Sequence, residues 1–130
     1  MAWPHRGLRG AVRADAERGA ATAELVMALP LLVAVTIGLV WLLSVGAAQI
    51  RTVDAAREAA RAAARGDDVA VASERGRAVG PTGTRVAVSV DGDSVVATAS
   101  ARVQGPGGLF RWLPGVAVRA RSIALVEERP

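Results

Sequence analysis

The feature that most constrains the fold of this chain is an uncharged apolar run over residues 25–48. As a helix, these 24 residues would extend about 36 Å, which exceeds the hydrocarbon thickness of a bilayer, roughly 30 Å. The run therefore predicts one membrane-spanning helix. The 82 residues that follow it are enough for one small domain.

A single carboxylate, that of Glu24, lies at the N-terminal edge of the run, after a stretch of small residues that begins at Gly19. An ionised group at this depth is costly unless a cation partners it. A cut after Gly19 would make Ala20 the first residue, and the new α-amino group would be largely cationic. The amino group of a neighbouring chain would then pair with Glu24 in the lipid and fix the axial register between subunits. The alternative is a signal-anchor helix in which Glu24 lies at the membrane interface without a role.

Residues 18–25, with the sequence Arg-Gly-Ala-Ala-Thr-Ala-Glu-Leu, are followed by Leu-Pro-Leu-Leu at 29–32. This segment resembles type IV prepilins and, more narrowly, the TadE-like minor pilins of tight-adherence systems. The family often carries a large apolar residue where this chain has Ala20, and an aromatic residue where it has Leu25. The resemblance implies a prepilin-peptidase cut between Gly19 and Ala20 and a register role for Glu24.

The same resemblance implies a function in assembly. The chain would be a minor pilin or pseudopilin-like subunit of a tight-adherence or type IV pilus, or of a related secretion assembly. Its partners would be membrane lipid, prepilin peptidase, other pilin subunits and the platform proteins of the pilus or secretion system. The chain would cross the cytoplasmic membrane once, with a cytoplasmic N-terminus and an extracytoplasmic C-terminal domain, and would enter a surface filament in some of these assemblies.

Charge alone does not determine the orientation, because four arginines precede the apolar run and four follow it closely. We divide the chain into a basic, cleaved leader (residues 1–19), a transmembrane helix (20–48), its extramembrane continuation (49–65) and a small head domain (66–130).

A conventional signal peptide cut near Val45-Gly46-Ala47 would need a shorter apolar region, of about 7–15 residues. The sequence is also compatible with a signal-anchored envelope protein that has a small extracytoplasmic binding domain, and with a secreted soluble domain.

Three residues inside the run bear on helix packing. Pro30 lacks a backbone donor, which predicts a kink or a loosened turn that membrane helices tolerate. Ala34 and Gly38 form a small-xxx-small pair that permits close helix contact. The competing interpretation of this pair is a plain lipid-facing surface.

Beyond the run, no glycine or proline interrupts the helix before Gly66. The spacing of three residues predicts ion pairs of Asp54 with Arg57 and of Glu58 with Arg61. Small side chains recur on the complementary face and would allow very close packing by the head domain or by a neighbouring helix. They are Val53, Ala56, Ala60 and Ala63 or Ala64.

The head domain begins with helix-ending and helix-starting signals. Gly66 fits the position after a helix C-terminus, and Asp67 or Asp68 can cap a second helix that ends at Val79. Val69, Ala72 and Val79 are expected on its buried side.

From residue 84 the apolar period changes to two, which predicts a strand, a turn at residues 91–93 and a returning strand to 103. Residues 116–126 predict a third strand. Its arginine-bearing side also carries Ile123 and Leu125, so we expect that side to be partly covered. The fold class is therefore α+β and pilin-like: a long helix, a short helix and a three-stranded antiparallel sheet packed on the upper half of the long helix.

A glycine- and proline-rich loop over residues 104–115 holds four large apolar side chains: Leu109, Phe110, Trp112 and Leu113. They either fold back over the helix and sheet or form a contact with another subunit or with the membrane surface. Only their burial separates these two arrangements.

Composition argues against two further functions. After the proposed cut, 12 arginines stand against 10 acids, which is too balanced for a phosphate-binding protein, so no nucleic-acid partner is predicted. The only histidine, His5, lies in the leader, and the chain has no cysteine, lysine or tyrosine, so we predict no enzymatic activity, no metal and no cofactor. Asp91 and Asp93 flank Gly92 in what reads as turn chemistry rather than a cation site.

Overall fold

The computed structural model describes residues 6–126 and confirms the predicted α+β fold class. Helix α1 is followed by helix α2, strands β1 and β2, a short 3-10 helix and strand β3. Their bounds are α1 Arg6–Ala64, α2 Val69–Val79, β1 Arg85–Asp91, β2 Ser94–Val103, the 3-10 helix Gly108–Phe110 and β3 Val116–Leu125. The chain forms two compact units, Met1–Leu39 and Val40–Pro130. His5 and the C-terminal residues 127–130 lie outside the described residues.

The sheet is an antiparallel meander in the order β1-β2-β3. Asp91 pairs with Ser94, which leaves Gly92 and Asp93 as a two-residue hairpin turn. Gly92 has a φ of +57°, as the first central residue of a type II′ turn requires. The hydroxyl of Ser94 donates a hydrogen bond to the carbonyl of Asp91 at 3.1 Å. The predicted hairpin is confirmed, and its aspartates belong to the turn.

Helix α1 ends in a Schellman motif around Gly66, which has a φ of +93°. The backbone N–H of Gly66 donates to the carbonyl of Ala63 at 3.0 Å, and that of Asp67 donates to the carbonyl of Ala62 at 3.1 Å. These two bonds satisfy carbonyls that the helix end leaves without partners. The expected glycine position is therefore confirmed.

Helix α2 starts at the predicted cap but buries a different side. The Asp68 carboxylate accepts a hydrogen bond from the backbone N–H of Ala70 at 2.8 Å. Ala72, Ser73 and Gly76 are buried, whereas Val69 and Val79 are 42% and 39% exposed. The expectation for the two valines was wrong, because the small residues of α2 face the rest of the domain.

Replacing Asp68 with alanine is expected to lower the free energy of unfolding of the head domain by about 1 kcal/mol, since the first turn of α2 loses a hydrogen-bond acceptor. Asp68→Asn keeps a capping oxygen and should stay close to the natural chain. Hydrogen exchange of the α2 amides in the detergent-solubilised protein measures both. Equal exchange rates in the alanine and asparagine variants would contradict a capping role.

The core between α1 and the sheet consists mostly of alanine. The central strand β2 runs antiparallel to α1, so that successive residues of β2 meet successively earlier turns of the helix. In order, Val95 packs on Ala62, Ala63 and Ala64; Ala97 on Ala59 and Ala60; Ala99 on Ala55 and Ala56; and Ala101 on Ala48. The small-residue face of α1 is therefore covered by the chain's own head domain.

The opposite face of the sheet is open. Ile123 and Leu125 are 63% and 75% exposed, so the expectation that this side is partly covered was wrong. In the described part of the chain, α1 and α2 both pack on the other face, which carries Val86 and Val88. We call this open side the outer face.

The two ion pairs predicted on α1 are confirmed. Asp54 and Arg57 approach to 3.9 Å, and Glu58 and Arg61 approach to 3.6 Å. Their arginine side chains are more than half exposed, so each pair contributes little to stability.

Candidate functional site

The first part of the candidate site is the surface of α1 around Gly19 and Ala20, which are both exposed and helical. A Cβ added at Gly19 would meet no atom within 4 Å, so the peptide bond that follows lies on an open surface. The hydroxyl of Thr22 donates back to the carbonyl of Arg18 at 2.9 Å. Glycine weakens a helix by about 1 kcal/mol relative to alanine, which favours local unwinding at this bond.

Glu24 lies one and a half turns further along α1 with an exposed side chain. Among the side chains that the structure describes, ion pairs form at other carboxylates, such as that of Asp15 with Arg18 at 3.8 Å, and none includes Glu24. Its carboxylate is therefore available to a cation from outside the chain.

The apolar run that follows is exposed over most of its length. Leu25, Leu29 and Leu32 are each more than half exposed. Of the described part of the chain, α1 alone is long and apolar enough to cross a membrane, so it suits a single-pass anchor by length and composition. Helix α1 continues through Pro30.

The small-residue pair of the run lies on an accessible surface. Ala34 and Gly38 are partly buried, and a Cβ added at Gly38 would meet no atom within 4 Å. The hydroxyl of Thr36 donates to the carbonyl of Leu32 at 2.8 Å, so it has a partner without leaving the helix. A second helix can therefore approach this surface closely.

Two side chains at the end of the apolar run connect α1 to the head domain, and neither bond was predicted from the sequence. The indole N–H of Trp41 donates to the carbonyl of Gln104 at 3.0 Å, and the amide of Gln49 donates to the carbonyl of Arg119 at 3.1 Å. The indole N–H of a tryptophan usually finds a hydrogen-bond acceptor when it is buried. A tryptophan inside an apolar run was therefore the sequence signal for such a bond. The sequence did not identify that acceptor, which lies 63 residues away.

The loop over residues 104–115 closes on itself. A Cβ at Gly105 would lie 2.9 Å from the carbonyl oxygen of Leu113, so the two sides of the loop touch. Phe110 and Leu113 are partly buried, whereas Trp112 is 77% exposed. The side chain of Leu109 lies outside the described part of the chain. The loop therefore turns part of its apolar surface inward and presents Trp112 outward.

A shallow concavity on the outer face lies next to this loop. Three arginines line it, Arg85, Arg102 and Arg119, together with Ser100 and Gln104, and the lining contains no acidic residue. Among the ion pairs of residues 6–126, none includes these three arginines. We call this surface the basic concavity. The sequence showed the arginines singly, but only the strand register places them together.

The described residues contain no group of three or more histidine, cysteine, aspartate or glutamate side chains placed to hold a metal ion. The described surface presents an exposed carboxylate, an exposed apolar helix, an exposed tryptophan and a basic concavity.

Comparison with known proteins gives a family match over the N-terminal part of the candidate site. Residues 19–61 match the family of TadE-like proteins, so the match begins at Gly19 and includes Glu24 and the whole apolar run. The similarity expected from residues 18–25 and 29–32 is confirmed.

One curated relative is a Mycobacterium tuberculosis protein named apoptosis inhibitor Rv3655c. It is 43% identical to this chain over 79 residues, which cover 61% of this chain and 57% of the relative. The match therefore spans a little over half of the relative's length. No solved structure matches the chain.

Proposed function

We propose that this chain, which is TadE-like over residues 19–61, is a minor pilin or pseudopilin-like structural subunit. It serves a tight-adherence or type IV pilus, or a related secretion assembly, and its leader is removed by a prepilin peptidase. The observation that carries the proposal is that the family match begins at the exposed Gly19 and includes the ion-pair-free carboxylate of Glu24.

Cleavage between Gly19 and Ala20 creates the cation that Glu24 lacks. The mature chain begins with a protonated α-amino group, and a carboxylate in hydrocarbon is stable only when such a charge neutralises it. Three residues, 21–23, separate the two groups in one chain, and the proposal pairs them between chains in the assembled state. A neighbouring subunit supplies the partner, and the pair sets the axial position of one helix against the next.

The apolar helix acts first as a membrane anchor and later as the packing surface between subunits. The exposed leucines of residues 25–39 suit both environments, because neither lipid nor a bundle of helices offers water to the backbone. The accessible surface at Ala34 and Gly38 supports close approach of another pilin helix. The partners in this proposal are the peptidase, other pilins and the platform proteins of the assembly, with the head domain extracytoplasmic.

The N-terminus of the protein from its native membranes is the direct test. We expect the chain to start at Ala20 in cells that contain prepilin peptidase and at Met1 in the same strain without it. Intact-mass measurement and N-terminal sequencing check this. A Gly19→Leu variant provides a second test, since a bulky side chain at the cut should leave the chain unprocessed even when the peptidase is present.

Other starts would contradict the proposal in distinguishable ways. An uncut chain in the presence of the peptidase would indicate a permanent signal anchor, with Glu24 incidental. A start near Ala48 would indicate a secreted domain that is released from membranes.

A further inference from the structure

The apolar run and the head domain overlap along α1. The run ends at Ala48, yet the head domain already contacts the helix at Trp41, about two turns earlier. Val45 and Ala48 pack against Ala101 and Val118 of the sheet. The last part of the run thus has sheet on one side, while Leu42 and Leu43 on other sides of the helix are 61% and 74% exposed.

This overlap determines where the loop of residues 104–115 lies along α1. The carbonyl of Gln104, at the start of the loop, accepts the hydrogen bond of Trp41, so the loop begins beside a residue of the apolar run. When α1 crosses a bilayer, Trp41 and its neighbours lie at or just below the lipid headgroups, where tryptophan is enriched. The exposed Trp112 is carried by the same self-closed loop.

The basic concavity lies at the same end of the sheet. Arg102 follows Ala101, which packs on Ala48, and the carbonyl of Arg119 is bound by Gln49. Arg85 is paired with Ser100 on the neighbouring strand. All three arginine side chains therefore lie on the outer face, at the height of residues 48–56 of α1, which begin where the apolar run ends and where headgroup phosphates lie.

We infer that the membrane-proximal end of the head domain docks on an anionic lipid surface, with Trp112 in the interface and Arg85, Arg102 and Arg119 on lipid phosphates. Arginine is suited to phosphate because its fork of donors matches two oxygens, and its stem can lie along apolar surface. Peripheral membrane binding typically combines an apolar or aromatic group that enters the interface with basic residues that attract anionic lipid, and this end of the domain has both. The inference requires α1 to cross the bilayer but does not depend on filament assembly or on cleavage.

The absence of cysteine from the chain makes a single-label experiment possible. Gly107→Cys places a nitroxide label in the loop, at a position where an added Cβ meets no atom within 4 Å, and leaves Trp112 intact. Asp93→Cys places the same label at the hairpin turn, at the opposite end of the sheet. The full chain is reconstituted in vesicles of phosphatidylcholine with phosphatidylglycerol, and collision with oxygen and with a water-soluble nickel complex is measured for each label.

The loop label should be shielded from the nickel complex and accessible to oxygen, whereas the hairpin label should show the reverse. Combining Arg102→Gln with Arg119→Gln should lower the ratio of docked to undocked heads roughly tenfold, because each arginine contributes favourably near an anionic surface. Vesicles of phosphatidylcholine alone should have a similar effect. Trp112→Ser should reduce shielding in both lipids.

Two outcomes would overturn the inference. If the loop label meets the nickel complex as often as the hairpin label does, the loop lies in water. If shielding appears only when the ratio of protein to lipid is high, a second copy of the chain covers this end instead of lipid. Neither result bears on the N-terminal cut, so failure here is distinguishable from failure of the proposed function.

Discussion

Replacing Glu24 with glutamine is expected to reduce incorporation of the mature chain into shared assemblies by roughly tenfold or more, with its amount in the membrane unchanged. Glutamine has nearly the same shape and can form hydrogen bonds, but it cannot neutralise the α-ammonium group of a neighbouring chain. That ammonium would then remain without a counter-charge in lipid. Cross-linking of a tagged chain to other pilin subunits in native membranes, quantified by mass spectrometry, measures the incorporated fraction.

Glu17→Gln is the matched control, because Glu17 is also an exposed glutamate of α1 but precedes the proposed cut. Its incorporation should equal that of the natural chain. The N-terminus of both variants must first be shown to be Ala20, so that an assembly defect is not confused with a processing defect. Normal incorporation of a correctly cut Glu24→Gln chain would remove the register role from Glu24.

A second large effect is expected at Gly76, where Gly76→Ala should lower the free energy of unfolding of the head domain by about 1–3 kcal/mol. In an ordinary helix interior the same change stabilises by about 1 kcal/mol. Here a Cβ would lie 2.8 Å from the carbonyl oxygen of Ala55 and 2.9 Å from the Cβ of Ala59. Both obstacles are short and stiff, so α2 must move away from α1 to make room.

Hydrogen exchange of the β2 amides in the detergent-solubilised chain reports the stability of the head without interference from the apolar helix. Gly46→Ala is the matched control: Gly46 is another helical glycine of the same unit, and an added Cβ there meets no atom within 4 Å. It should be neutral or slightly stabilising. Equal exchange in the two variants would show that α2 does not need its close approach to α1.

The elements that the sequence predicted well are those determined by neighbouring residues. The helix end at Gly66, the cap at Asp68 and the hairpin turn at Gly92 each depend on local backbone geometry, and all three are found. The ion pairs of α1 depend only on helical spacing, and they also form.

The predictions that failed concern which surface another element covers. Val69 and Val79 were expected on the buried side of α2 together with Ala72, but the space beside α1 admits only small side chains. Gly76 was the sequence signal for the buried side of α2. A glycine inside a helix lowers helix stability, and close packing against another element can offset that loss. Ile123 and Leu125 alternate correctly in β3, but alternation does not reveal whether a second layer exists.

The candidate site divides in the same way. The sequence identified Gly19, Ala20 and Glu24 because all three lie in one short segment that resembles a known motif. Their roles remain predictions. The bonds of Trp41 and Gln49 and the basic concavity join residues that are far apart in sequence. They depend on the register between β2, β3 and α1, which no local pattern specifies.

The alanine core also determines how the head domain responds to temperature. Its largest fully buried side chains are Val95 and Thr52, and a methyl group exposes far less apolar surface on unfolding than a leucine or phenylalanine side chain. The heat capacity change of unfolding depends on the apolar surface exposed, so for this domain it should fall below the usual value of about 12–15 cal/mol/K per residue. A smaller heat capacity change reduces the curvature of the stability curve, so the head domain should lose little stability on cooling and should resist cold denaturation.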